Sequence, residues 1–212
     1  MASAPTCRLC LVTPPELVSG GLAIERFSDS FAAAFTGGDV AAIILSGTSS
    51  ADTPPATLIE PLRDIAQAAD AAFLLQDDVD AAVRYHCDGV LVAAEPASIR
   101  AARSRLGSQL IVGADCGTSR HAAMIAGEED CDFVVLDAGD PELLAWWAEL
   151  MELPCVAWGS VTLENAPALL ATGIEFLAVG DAIWNHPEGP KAGVAAFNAL
   201  CAAAATPGPP GP

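Results

Sequence analysis

The feature that most restricts this chain is a recurrence of short apolar segments. Eight of them run through it, at residues 8–12, 40–45, 71–75, 89–92, 110–113, 133–136, 155–158 and 176–179, and their starts lie 18 to 32 residues apart. Each gap has room for one helix. Segments this short and this uniformly apolar read as strands buried on both faces, and strict alternation with helices requires a parallel sheet. Eight such units favour closure into a single (β/α)₈ TIM barrel over an open doubly wound sheet. No Gly-x-Gly-x-x-Gly follows the first segment, so a dinucleotide-binding fold has no local support.

The intervening stretches have helical periodicity. Ile24, Phe27, Phe31 and Phe35 form one stripe that stops at Gly37-Gly38, and Leu58, Leu62, Ile65 and Ala66 form the next. Leu143, Leu144, Trp147 and Leu150 mark a sixth helix opened by Asp140-Pro141. Trp146 and Trp147 read as packing residues on the outside of the barrel. The expected organisation is one barrel over residues 1–204, followed by a disordered Pro/Gly-rich tail at 205–212.

Charge excludes several partners. Nine Lys and Arg stand against 27 Asp and Glu, a net charge of −18, so nucleic acid and anionic membrane surfaces would be repelled. No uncharged apolar run reaches membrane-spanning length, and the start lacks a basic n-region, which predicts a soluble, cytoplasmic protein without a signal peptide. The seven cysteines are scattered through apolar segments and read as reduced core thiols. Cys7 and Cys10 form a Cys-x-x-Cys, but positions i and i+3 of a strand face opposite sides, which argues against a metal site. No feature of the chain speaks to oligomeric state.

The stretch from Cys155 to Trp184 reads as strand, glycine turn, helix, strand, glycine turn, helix. Thr162 is the expected N-cap of a helix carrying Leu163, Ala166, Leu169 and Leu170, with Gly173 as its C-cap. In a barrel, the loops after strands 7 and 8 are the usual seat of a phosphate site. Gly159, Ser160, Gly180 and Asp181 are therefore candidate phosphate-binding residues, and a phosphorylated small molecule is the candidate ligand. Asp181 is expected to satisfy the nearby N–H groups itself and to oppose an anion.

This stretch resembles the closing part of thiamine-phosphate synthases and their TenI-type relatives, whose pattern runs Val-Ala-Ile-Gly-Gly-Ile, Asn-Ala, and Ala-Gly-Ala-Asp-Gly-Val-Ala-Val-Val-Ser-Ala-Ile. The residues that fall on it are Val156 to Val161, Asn165-Ala166, Thr172 to Phe176 and Val179 to Ile183. A central match adds Asp77, Val79, Asp80, Ala82, Asp88, Gly89, Val90, Arg103, Leu106, Gly107, Ile111 and Gly113. The resemblance implies a transferase of thiamine (vitamin B1) biosynthesis that joins an aminopyrimidine pyrophosphate to a thiazole phosphate and releases pyrophosphate with Mg²⁺.

Carried over residue by residue, that machinery is altered. The family's Gln-Leu-Arg-Glu-Lys at the second strand end is here Ile44-Leu45-Ser46-Gly47-Thr48, without a cation. Its Asn-Asp-Arg is Gln76-Asp77-Asp78, which keeps the metal-binding Asp as Asp77 and replaces the Arg with an acid. The second metal carboxylate is missing after the fourth strand, where Glu95 is the candidate substitute. Asp137-Ala138-Gly139-Asp140 stands in place of the Thr-x-Thr-Lys loop, and Gly117 occupies the position of the TenI-type histidine, with His121 one turn on. Asp77, Asp115 and Asp137, as carboxylates at strand ends, are the catalytic candidates, with Asp77 and Glu95 as metal candidates; Asp78 and Asp181 read first as helix N-caps. Two functions follow: a synthase-type enzyme with altered residues, or a barrel that has lost the chemistry and binds a phosphate or thiazole as a regulatory module.

Overall fold

A computed structural model describes residues 7–49, 51 and 53–205, so the predicted tail lies outside the described residues apart from Ala205, the last residue of the final helix. The eight apolar segments become eight parallel strands: β1 Arg8–Val12, β2 Ala42–Leu45, β3 Ala72–Gln76, β4 Gly89–Ala93, β5 Ile111–Asp115, β6 Phe133–Asp137, β7 Cys155–Trp158 and β8 Phe176–Val179. They pair in chain order, and β8 closes on β1 through Arg8↔Phe176 to Leu11↔Val179. The helices are α1 Ile24–Phe35, α2 Ala56–Ala68, α3 Val79–Arg84, α4 Pro96–Leu106, α5 Arg120–Glu128, α6 Pro141–Leu150, α7 Ala166–Leu170, α8 Asp181–Trp184 and α9 Pro190–Ala205. This is a single TIM barrel, as the strand spacing predicts. No helix among the described residues is long and apolar enough to cross a membrane.

Alternation along each strand sorts side chains between two apolar cores. Cys10, Val12, Ile44, Leu74, Leu91, Val135, Val156 and Ala178 fill the barrel axis, whereas Leu9, Leu11, Ile43, Phe73, Val134 and Leu177 point outward to the helices. Cys7 and Cys10 fall in different cores, as strand geometry requires. All seven cysteines are buried, and burial pushes the Cys10 thiol up to about 12. Gly113 has a steric reason: the Phe133 ring occupies the space a Cβ there would need. Trp147 is buried with Nε1 donating to the Leu153 carbonyl at 2.8 Å, a packing role as expected.

Carboxylates just before three strands tie the amino-terminal end of the barrel. Asp88 accepts from Phe73 N–H at 2.7 Å, Asp132 from Val112 N–H at 2.8 Å and Glu175 from Cys155 N–H at 2.9 Å. Arg103 adds an ion pair to Asp132 at 2.7 Å. Asp88 and Glu175 belong to the matched family positions, and these bonds give them a structural role remote from the strands' carboxyl ends.

Candidate active site

Counting by two from the interior residues places Gln76, Ala93, Asp115, Asp137 and Trp158 on the inward face at the last rung of their strands. Two adjoining clefts open there. The larger, ≈ 610 Å³, lies over the ends of β1, β2, β7 and β8 and is lined by Thr13, Ser46, Gln76, Gly159, Ser160 and Asp181, among others. The smaller, ≈ 260 Å³, is lined by Asp115, Gly117, Asp137 and Gly159, among others. Trp158 and Gly159 border both.

The structure brings Gly159, Ser160, Gly180 and Asp181 together around the larger cleft. Gly159 has φ +137, a conformation that excludes most side chains, so the glycine at this turn is required. The N–H groups of Ser160, Asp181 and Ala182 have no partner among the described residues. Among the described residues no Lys, Arg or His lines this cleft. Arg120, near the mouth by sequence, lies over the Trp146 ring at 4.8 Å. His121 is exposed at the start of α5 without a hydrogen-bond partner among the described residues.

Two details of this stretch correct the sequence reading. Asp181 is not a cap: Gly180 is the N-cap of α8, Asp181 is its first residue, and its exposed carboxylate accepts no hydrogen bond among the described residues. Helix α7 starts later than expected, at Ala166, with Asn165 before it. Thr162 and Asn165 instead bond each other across a turn, Thr162 N–H to Asn165 Oδ1 at 2.8 Å and Asn165 N–H to Thr162 Oγ1 at 3.3 Å. Leu163 consequently points outward, at 36% exposure.

The loop after β2 satisfies its own polar groups. Ser46 Oγ donates to Thr13 O at 2.6 Å, Ser46 N–H to Thr13 Oγ1 at 3.1 Å and Gly47 N–H to Gln76 Oε1 at 3.0 Å. Asp78 is the N-cap of α3, as expected. It is 1% exposed and accepts from Ala81 N–H at 3.0 Å and from the Thr53 hydroxyl at 2.6 Å.

The other carboxylates divide in the same way. Asp137 accepts from Gly139 N–H at 2.6 Å and Asp115 from Gly117 N–H at 3.2 Å, each closing its own loop two residues on. The loop after β6 then runs directly into α6, capped by Asp140 at 2.9 Å from Leu143 N. Asp77 is held at φ +54 with its N–H on Leu91 O at 2.9 Å. Partial burial and the neighbouring Asp115 raise its pKa against the opposing pull of Ala93 N–H. Glu95 is exposed ahead of α4 and does not contribute to that shift.

Among the described residues no three His, Cys, Asp or Glu side chains converge on a point, so a protein-only metal cage is not formed. Mg²⁺ commonly takes only one or two carboxylates and completes its shell with water and substrate phosphate. Asp77 after β3 and Asp115 at the end of β5 meet that count of carboxylates, with β4 between them; Asp115 lines the smaller cleft and Asp77 lines neither. Sequence reading did not single out Gln76, Thr13 or Trp158 as site residues. For Gln76 and Trp158 the signal was present, since each stands two residues beyond an interior apolar residue.

A closed parallel barrel with a polar, carboxylate-bearing mouth belongs to the class that binds small ligands at strand carboxyl ends. The comparisons narrow the class. A family model described as thiamine monophosphate synthase matches residues 9–183. The chain is 45% identical over 204 residues to a thiamine-phosphate synthase of Rhodospirillum centenum, covering 91% of this chain and 96% of the relative. It is 36% identical to one from Hyphomonas neptunium, covering 92% and 94% respectively. A solved thiamine phosphate pyrophosphorylase from Pyrococcus furiosus superposes with a TM-score of 0.77 at 22% identity, over 95% of this chain and 98% of that one. The chain belongs to the thiamine monophosphate synthase family.

Proposed function

We propose that the protein is a synthase-type transferase that retains the phosphate-monoester half of its site and has a weakened pyrophosphate half. The observation that carries this is the larger cleft. Gly159, Ser160 and Gly180 meet there beside the N–H groups of Ser160, Asp181 and Ala182, which have no partner among the described residues, and the loop that would hold cations is closed on Thr13 and Gln76. Ser160 N–H, Ala182 N–H and the Ser160 hydroxyl are the donors for a thiazole phosphate. Gln76 lines the same cleft, and its amide N–H₂ is available to orient the second substrate. Asp77, together with Asp115, would hold Mg²⁺, which when bound neutralises charge on the departing pyrophosphate.

Each missing interaction with developing charge typically costs about a hundredfold in rate. With Mg²⁺ and both family substrates, the purified protein should therefore form thiamine phosphate well below an ordinary turnover of about 10 s⁻¹. Product assay by chromatography tests this: turnover at the ordinary rate refutes the weakened site. The second reading, a phosphate- or thiazole-binding module without transfer, is favoured by the absence of any cation lining the cleft. Calorimetric binding of thiazole phosphate with no product over many hours would select it.

A further inference from the structure

Trp158 ends β7 where the two clefts meet, at a position where the family pattern carries isoleucine. Its ladder partners are Asp137 on β6 and Ala178 on β8. Val156, two residues earlier, lies in the barrel axis, and Trp158 packs against the same interior cluster. The small Ala178 and the following Gly159 leave the indole half-buried rather than enclosed. Its ring nitrogen is a second observation. Trp184 Nε1 donates to Val12 O at 2.6 Å and Trp147 Nε1 to Leu153 O, whereas the Nε1 of Trp158, like that of Trp146 on the outer face, has no partner among the described residues. No buried side-chain nitrogen or oxygen among the described residues lacks a partner, so the Trp158 N–H still faces water and can exchange it for a ligand acceptor.

We infer that Trp158 is a ligand-recognition residue that selects a planar heteroaromatic ring carrying a phosphate over an aliphatic phosphate. The phosphate half of that statement rests on the proposed function; the ring half does not. An indole offers a π face for offset stacking and a donor at its edge, and isoleucine offers neither. The cleft beside it is otherwise lined by aliphatic, proline, small and polar residues, including Val12, Pro14, Gly159, Ser160 and Ala178, with no second aromatic ring among the described residues. Trp158 is thus the aromatic surface available to a thiazole or pyrimidine ring seated there.

Calorimetry on the full chain tests this with three probes: hydroxyethylthiazole phosphate, unphosphorylated hydroxyethylthiazole and propyl phosphate. The parent should prefer the thiazole phosphate over propyl phosphate by about tenfold, the scale of one aromatic contact. Trp158→Phe should keep most of that ratio, and Trp158→Ile should bring it close to one, with circular dichroism confirming that both variants fold. The unphosphorylated thiazole should lose affinity in Trp158→Ile by a similar factor. That result supports Trp158 even if no phosphate ester binds the parent, in which case the phosphate-site reading alone fails. An unchanged ratio in folded Trp158→Ile, or no binding of either thiazole by the parent, overturns the inference.

Discussion

Replacing Asp181 with serine should strengthen phosphate-ester binding in the larger cleft. Asp181 lines that cleft, is exposed, and receives no hydrogen bond among the described residues, so its negative charge is not offset locally. A phosphate on the Ser160 and Ala182 N–H groups would lie roughly 6 Å from it, where Coulomb repulsion in water is about 0.7 kcal/mol per unit charge. A phosphate monoester carries roughly 1.5 to 2 charges, which raises the figure to about 1.2 kcal/mol. Physiological salt, with a Debye length of about 8 Å, removes about half of it. The expected gain is therefore roughly threefold in Kd. Calorimetry with propyl phosphate on the parent, Asp181→Ser and Asp181→Asn, at about 20 mM and about 500 mM salt, separates causes. Relief of repulsion predicts equal gains for Ser and Asn that shrink at high salt. A salt-independent gain with Ser alone would point to a new hydroxyl hydrogen bond. Equal affinity in all three proteins would refute the reasoning, because the carboxylate would then stand clear of the ligand.

Asp77→Asn should change how stability depends on pH. The carboxyl of Asp77 is raised above the usual aspartate value by partial burial and Asp115, so its contribution to stability is fully present at acid pH and is lost as pH rises through the raised value. Asparagine tolerates the positive φ and removes the charge, so the variant should gain on the parent from about pH 4 upward. Urea midpoints across pH check this; a difference that does not vary with pH sinks it. Gly113→Ala should be far more costly, since the new methyl meets the Phe133 ring. Overpacking of this kind costs about 1–3 kcal/mol, and a thermal midpoint within about 2 °C of the parent would show that the ring moves freely aside.

The barrel was legible because burial on both faces leaves a signature in sequence: eight uninterrupted apolar runs with room for a helix after each. Strand ends were less clear. β3, β5 and β6 extend one or two residues past the apolar run to Gln76, Asp115 and Asp137, because hydrogen-bond ladders continue where burial stops. Helix α7 was misjudged because Thr162 and Asn165 both carry capping side chains. Their mutual bonds make a turn first and delay the helix to Ala166. The run Gly37-Gly38 read as a helix stop, yet Gly37 also has a reason in packing: a Cβ there would collide with the backbone of Lys191 in α9. That contact joins residues too far apart in sequence for a local pattern to show.

The acids at the mouth show why site reading from sequence alone stalls. Asp77, Asp78, Asp115, Asp137 and Asp181 all follow or end a strand and precede a helix, and both a catalytic carboxylate and a cap require that position. Only the hydrogen bonds distinguish them. Asp78 is committed to Ala81 and Thr53, and Asp137 to Gly139 at 2.6 Å. Asp115 holds Gly117 by a longer 3.2 Å bond and also bears on the charge of Asp77. An acid already satisfied by its own loop would give up a bond to take a proton or a metal, so Asp78 and Asp137 are poor carriers of chemistry. Asp77 and Asp115 remain; they stand at the ends of β3 and β5 with β4 between them, and the charge of Asp115 reaches Asp77. The proposed metal site therefore draws on β3 and β5. The proposed phosphate site lies at β7 and β8, and the side chain standing on the boundary between the two clefts is Trp158.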